Sequence, residues 1–330
     1  MAQRALLVGI DQYPNPQNNL NSCVADTLAF KNRVLQDRYG FDPANVQLLH
    51  NQAATLANVR QALGTLFQGV GADDEIVYFE SSHGYRYPKG DTMVEVLCLY
   101  DAFMEDQELV KLTQPLPPGV LTVVLDACHS GGMEKLFFPP DGPAVARAKV
   151  FRQDPIQAAI ETQLLQQVTR FKFFGRAETT DTGAVAKAFS NPGSVPRMKD
   201  IGEGQLELNG ALFAACKAEE TAAAGSPATN NLSAFTFGLI DQLDSTISLN
   251  QLCQQVVTRL KQLNMRQTPT AEAPVTHQEF LSETFVTMRP AADGGMPGPI
   301  GAPPTRGPRV DGVPPGFDPD AWRRAFGLAA

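Results

Sequence analysis

Two short stretches of the chain carry side chains able to do covalent chemistry together. One is Asp126-Ala127-Cys128-His129-Ser130, followed by Gly131 and Gly132; the other is Ser81-Ser82-His83-Gly84. A thiol attacks strongly only as the thiolate, and an imidazole neighbour generates or pairs with that anion. Each stretch closes an apolar run, Val120 to Leu125 before the cysteine and Ile76 to Phe79 before the histidine. Runs of this kind read as buried strands. Buried parallel strands deliver reactive residues at their C-terminal ends, where loops open onto a crevice. Cys128 as nucleophile with His83 as its base is therefore the pairing these positions allow. His129 is a poorer base, because adjacent residues at a strand tip point apart.

The rest of the chain supplies the elements that must hold those tips side by side. Arg4–Ile10 reads as a first strand, about 23–38 as a helix, Asn45–His50 as a second strand and Ala54–Phe67 as a second helix capped by Thr55. The strand bearing His83 follows, then a short strand over Thr92–Tyr100, an acidic helix start at Glu105-Asp106-Gln107-Glu108, a proline-rich turn at Pro115–Gly119 and the strand that leads to Cys128. This alternation predicts an α/β/α sandwich around a mostly parallel central sheet of about six strands. Met133 to Glu207 lacks a clear strand signal and carries one helix opened by Asp154-Pro155. Ala211–Cys216 reads as a further strand, Ser233 opens a helix, Leu249–Leu263 is an amphipathic helix, and a last strand is expected near 283–288. The expected divisions are thus 1–132, 133–207, 208–288 and a Pro/Gly-rich tail, 289–330.

Composition narrows the class without choosing the chemistry. Lys and Arg number 27 against 35 Asp and Glu, for a formal net charge of −8, which speaks against a nucleic-acid partner. No apolar run approaches the roughly 18 residues of a spanning helix, so no membrane role is expected. Five scattered cysteines (Cys23, Cys98, Cys128, Cys216, Cys253) form no CxxC pair, which fits a reducing, cytoplasmic setting. The same scatter excludes a structural zinc site. Cys216 and Cys253 read as packed structural thiols.

The two motifs, with His83 about 45 residues before Cys128, resemble the caspase-like cysteine peptidases, and Asp-Ala-Cys-His-Ser-Gly resembles the metacaspase and bacterial branch. The resemblance implies a cysteine endopeptidase with a Cys128–His83 dyad and an oxyanion site at the backbone N–H groups of Gly84 and Cys128. It also places Asp126, Asp26, Ser81 and Cys23 in the pocket for the residue before the cut. Two carboxylates there favour Arg or Lys and repel Asp. Cys23 and Asp26 are three apart, and so share a face of the first helix. The sequence departs from the family at Ser82, where the family usually has Gly. Many metacaspases bind an activating calcium ion, but the ligand run is broken at Ala102 and Lys135, so no cofactor is expected.

Two readings of 133–207 stay open: a solvated insertion, or an inter-subunit linker where self-cleavage occurs. Three readings of the whole also stay open. It is an active endopeptidase with a protein or peptide substrate, a catalytically silent scaffold, or an effector protease gated by a regulatory protein. In the last, the docking element is the tail, whose Asp318-Pro319 opens a short helix containing the single Trp, Trp322.

Overall fold

The structure is a computed structural model that describes residues 2–89, 92–127, 148–149, 151, 170–171, 206–217 and 220–286. By contacts the chain divides into Met1–Arg289 and Pro290–Ala330, and the second unit lies outside the described residues. The expectations for the tail, for its helix near Trp322 and for the helix at Asp154 fall outside them too.

The central sheet has six strands in the order β10-β9-β7-β3-β1-β2. These are β1 (Gln3–Gly9), β2 (Val46–His50), β3 (Glu75–Ser81), β7 (Leu121–Asp126), β9 (Ala211–Ala214) and β10 (Thr270–Glu272). All pairings are parallel except β9 with β10. Helices cover both faces, so the middle strands are apolar on both sides. Strand alternation divides them cleanly. Ala5 and Leu7 of β1, Val77 and Phe79 of β3 and Val124 of β7 face one core. That core is completed by Phe30 and Val34, by Phe235 and Leu239 of α4 (Ala234–Gln242), and by Leu252, Val256 and Leu260 of α5 (Leu249–Gln262). Leu6, Val8, Ile76, Tyr78, Val123 and Leu125 face the other, under α2 (Leu56–Phe67) and α3 (Asp106–Thr113).

Helix α1 (Cys23–Ala29) runs on into a wider-wound turn, Phe30–Gln36, and packs against β1 at Gly9. A Cβ at Gly9 would stand 2.6 Å from the Cys23 carbonyl oxygen, so only glycine permits this approach. Asp11, just past β1, caps α1 from a distance: its carboxylate accepts the Cys23 and Val24 N–H groups at 2.8 and 3.1 Å. The expected Thr55 cap is present, accepting the Asn58 N–H at 3.2 Å.

Three expectations need correction. The strand over Thr92–Tyr100 forms, as β5 (Thr92–Cys98), but it lies in a second sheet between β4 (His83–Lys89) and β6 (Phe103–Glu105). The last strand near 283–288 is not formed over its described part. Val275–Ser282 is a 3-10 helix, and Thr284 makes one isolated bridge to Ser248. Phe285 and Val286 look like strand residues but act as core plugs, with the Phe285 ring 6.1 Å from Phe30 and 6.3 Å from Phe213. The sixth strand is instead β10, three residues long and too short to show a period of two. Finally, the stretch without a strand signal contributes β8 (Arg170–Phe171), parallel to β5 at Thr92 and Met93. Among the described residues, no helix is long and apolar enough to cross a membrane.

Candidate active site

The C-terminal ends of β1, β3 and β7 converge on one edge of the sheet. Gly9, Ser81 and Asp126 are register partners across these three strands. Ser81 follows Val77 and Phe79 with a period of two, and Asp126 follows Val124, so both point to the face that α1 covers. From α1 comes Asp26. Asp26, Ser81 and Asp126 are each 0% exposed.

The start of α4 closes the cluster. The Ser233 N–H donates to Asp26 Oδ1 at 2.8 Å, and the Ser233 hydroxyl donates to Oδ2. Thr236 donates its N–H and its hydroxyl to Asp126 Oδ2 at 3.2 and 2.6 Å. Ser81 Oγ donates to Asp26 Oδ2 at 2.7 Å. Two buried carboxylates are thus each held by hydroxyls and by N–H groups at a helix N-terminus, the end that favours negative charge. Burial pushes the Asp26 carboxyl up to about 7, and the Asp126 charge adds to that, against opposing help from Lys149, Ser233 and Ser81.

Lys149, from the long stretch between β7 and β9, fills this pocket. Its Nζ lies 2.9 Å from Asp126 Oδ1 and 3.6 Å from Asp26 Oδ2, and donates to Ser81 Oγ and to the Asp126 carbonyl, both at 2.8 Å. The side chain is wholly buried. Burial pulls the Lys149 pKa down, but the Asp126 and Asp26 carboxyl groups outweigh it and leave the pKa raised. The backbone is held as well. The Lys149 N–H donates to the Ala222 carbonyl at 3.0 Å, and Ala148 bridges antiparallel to Ala223. The segment thus pairs its main chain with Ala222 and Ala223 while burying the Lys149 side chain, as an extended peptide is held. Cys23 is buried beside the same group, and its thiol is pushed up by burial.

His83 opens β4 at the same edge and is 2% exposed. Its Nε2 lies 2.7 Å from the Asn18 carbonyl oxygen. A carbonyl only accepts, so Nε2 carries the proton and Nδ1 is the basic nitrogen of the neutral ring. The Asn18 carbonyl thus orients the His83 ring, which no sequence motif named. Tyr13 fixes the histidine from a second side: its hydroxyl accepts the His83 N–H at 3.1 Å and donates to the Cys98 carbonyl at 2.9 Å. The two rings lie 5.1 Å apart.

Ser82, where the sequence departs from its family, has a partner. Its hydroxyl donates at 2.7 Å to Glu80, a wholly buried carboxyl that also accepts the Tyr78 hydroxyl. Burial pushes Glu80 up to about 7, against the pull of both hydrogen bonds. An acid is thus sealed beneath the loop that holds His83.

Of the expected site residues, Asp126, Asp26 and Ser81 come together around one point, with Cys23 next to them; His83 and Gly84 begin β4 at the same sheet edge. Cys128 lies outside the described residues. Sequence reasoning missed Lys149, Ser233, Thr236, Tyr13, Asn18 and Glu80. The one signal at hand was charge: an acidic pocket in a chain whose 133–207 stretch is rich in Lys and Arg. Asp101, just before Ala102, accepts the Leu56 N–H at 2.8 Å, and Glu108 of the acidic helix start pairs with Arg60. Among the described residues, no three His, Cys, Asp or Glu side chains converge as metal ligands.

Comparison with known proteins bears on the family and the fold. The caspase-domain family model matches residues 2–281. Metacaspase-4 of Arabidopsis thaliana is 32% identical over 147 residues, which is 40% of this chain and 34% of that protein. Metacaspase-9 of the same plant is 32% identical over 145 residues, 39% of this chain and 43% of that protein. The chain therefore spans well under half the length of these curated relatives. A crystal structure of a Geobacter sulfurreducens protein superposes with a TM-score of 0.59 at 22% identity, covering 88% of this chain and 100% of that one, which shows the shared fold.

Proposed function

The chain belongs to the caspase-domain peptidase family, and on that premise we propose that it is a cysteine endopeptidase that cuts after Arg or Lys. The observation that carries the specificity is the burial of Lys149 between Asp126 and Asp26. A pocket that takes one ammonium with two carboxylates, a serine hydroxyl and a carbonyl is built for a cationic side chain. It would leave a buried carboxylate of a substrate unpaired and repelled.

In this reading Cys128 is the nucleophile and His83 the base. The thiol proton passes to Nδ1 of His83, and the sulfur adds to the carbonyl carbon of the basic residue. The oxygen charge that develops is met by the N–H groups of Gly84 and Cys128. The tetrahedral adduct collapses to a thioester as the imidazolium gives its proton to the departing amine. Water then attacks the thioester with His83 again as base, releasing the acid and restoring the thiol. Throughout, the Asn18 carbonyl keeps the proton on Nε2, so the ring presents the same nitrogen at each step. No cofactor takes part.

Lys149 sits where a substrate side chain belongs, so an incoming peptide competes with the chain's own segment. That favours the self-cleaved linker over the bland insertion for this part of 133–207. A peptidyl-Arg chloromethyl ketone tests the reading: one adduct on Cys128 by intact mass and peptide mapping, with little from the matching Asp compound. Equal labelling by both would remove the basic pocket, and no adduct on Cys128 would remove the nucleophile.

A further inference from the structure

Beyond the basic pocket, we infer that the second sheet forms a recognition site for the residue two positions after the cut, and that this site takes an aromatic side chain. The inference rests on the reading of Lys149 as the residue before the cut.

The juxtaposition comes from strand register. In β4 a period of two places His83, Tyr85 and Tyr87 on one face. β6 meets the same register through β5, with Cys98 the partner of both His83 and Phe103, and Val96 the partner of both Tyr85 and Glu105. The result is an aromatic stripe that begins at the proposed base: the Tyr85 and Phe103 rings lie 5.9 Å apart and those of Tyr87 and Phe103 6.4 Å apart. Tyr13 closes its inner end beside His83.

Phe151 occupies this stripe. Its ring lies 5.4 Å from Phe103 at 89°, 6.0 Å from His83 at 81°, 6.1 Å from Tyr13 at 70° and 6.3 Å from Tyr85 at 60°. Steep angles at these separations are the favoured edge-to-face geometry of aromatic pairs. Phe151 stands two residues after Lys149 in sequence, so one short segment has two side-chain anchors, an ammonium in the acidic pocket and a phenyl ring on the aromatic stripe. The peptide bond that follows Lys149 lies between them along the chain. If the first anchor shows which residue precedes the cut, the second shows what the enzyme accepts two residues beyond it.

The chemistry of the stripe is selective. The polar ends of two of its tyrosines are engaged, Tyr13 on the Cys98 carbonyl and Tyr87 on Glu105, each at 2.9 Å. What faces Phe151 is ring carbon and the imidazole. An acidic side chain placed there loses hydration without a new partner, and a methyl group covers little of it.

The test uses internally quenched peptides with Arg before the cut, differing only in the second residue after it: Phe, Ala or Asp. The full chain should show kcat/KM about tenfold or more higher for Phe than for Ala, with Asp lowest. The chain's own segment competes equally with all three, so it cancels in the ratio. Phe103→Ala should shrink the Phe-to-Ala ratio toward one; Phe103→Leu, which keeps apolar bulk, should give an intermediate ratio and serves if the alanine variant does not fold. An Arg dye amide, with no residue beyond the dye, reports the basic pocket alone. Dye release with equal rates for the three peptides, or a Phe preference indifferent to Phe103, overturns the aromatic site and leaves the basic pocket standing. Absence of dye release overturns both.

Discussion

The ammonium of Lys149 stands 2.9 Å from the Asp126 carboxylate, and neither side chain reaches solvent. A buried ion pair persists only when other groups satisfy what water would have supplied. Here Thr236 binds the second oxygen of Asp126, while Ser81 and the Asp126 carbonyl take protons of the ammonium. The pair is therefore a completed binding event within one chain.

Asp126→Asn tests the acid directly. The amide oxygen can still accept from Thr236, so the start of α4 keeps an anchor while the charge is lost. Losing one partner of a buried charge pair costs about 2–5 kcal/mol. The kcat/KM for Arg peptides should fall at least about thirtyfold, chiefly through KM. Steady-state kinetics on Arg and Leu peptides would check it, the Arg-to-Leu ratio collapsing in the variant.

Lys149→Ala should separate stability from access. Without the cation the Asp26 carboxyl, already raised to about 7, holds its proton, and Asp126 is left buried without its ion partner, at a cost of about 3–5 kcal/mol. The melting temperature should fall, and saturating arginine amide should recover part of the loss by binding the folded state alone. With the internal competitor gone, short Arg peptides should be cut faster than by the natural chain. Thermal melts with and without arginine amide, alongside peptide kinetics, would check both. A variant as stable as its parent and no faster would count against self-occupation.

Glu80 gives a pH dependence of defined sign. Burial raises it from its ordinary 4.5 to about 7. Between those values the folded chain keeps a proton that the unfolded chain has released. The stability tied to this proton is fully present below about 4.5 and is lost as pH rises toward 7. Glu80→Gln does not titrate. Its stability relative to the natural chain should improve by about 3 kcal/mol between about pH 4 and about pH 8. Urea melts of the two proteins at several pH values would show this, since groups common to both cancel in the difference.

Tyr13→Phe keeps the ring against His83 and removes the hydroxyl that accepts the His83 N–H. Two buried hydrogen bonds are lost, from the His83 backbone N–H and to the Cys98 carbonyl, and together should cost about 2–3 kcal/mol of stability. Freed from that tether, the imidazole should lose alignment, with kcat down about tenfold and KM little changed. A rise in KM of the same size, with kcat unchanged, would point to a pocket effect instead.

Much of this was legible in the chain. The apolar runs at β1, β3 and β7 and the helical spacing of α2 and α5 are strong periodic signals, and they set the sheet. The pocket carboxylates were legible because a strand period of two and a helix spacing of three put Asp126 and Asp26 on definite faces, and the family resemblance said which faces meet. Lys149 and Phe151 were not legible, because their partners are distant in sequence and their segment has no periodicity. Ser233 and Thr236 were seen only as a helix start, since a cap satisfying another element's carboxylate looks the same in sequence as one serving its own helix. β10 was missed because three residues between Pro269 and Pro274 carry no alternation, and Phe285 and Val286 drew a strand assignment that their burial as core plugs does not need.

Asp126, Asp26 and Ser81 are the proposed pocket for a basic residue before the bond Cys128 attacks. Fluorophore release from short peptides ending in Arg, Lys, Asp or Leu, by the natural chain and by Cys128→Ala, tests it most directly. Release is expected after Arg and Lys only, absent from the Cys128→Ala protein and unaltered by calcium. Release after Asp or Leu at comparable rates, or release that survives in Cys128→Ala, would contradict it.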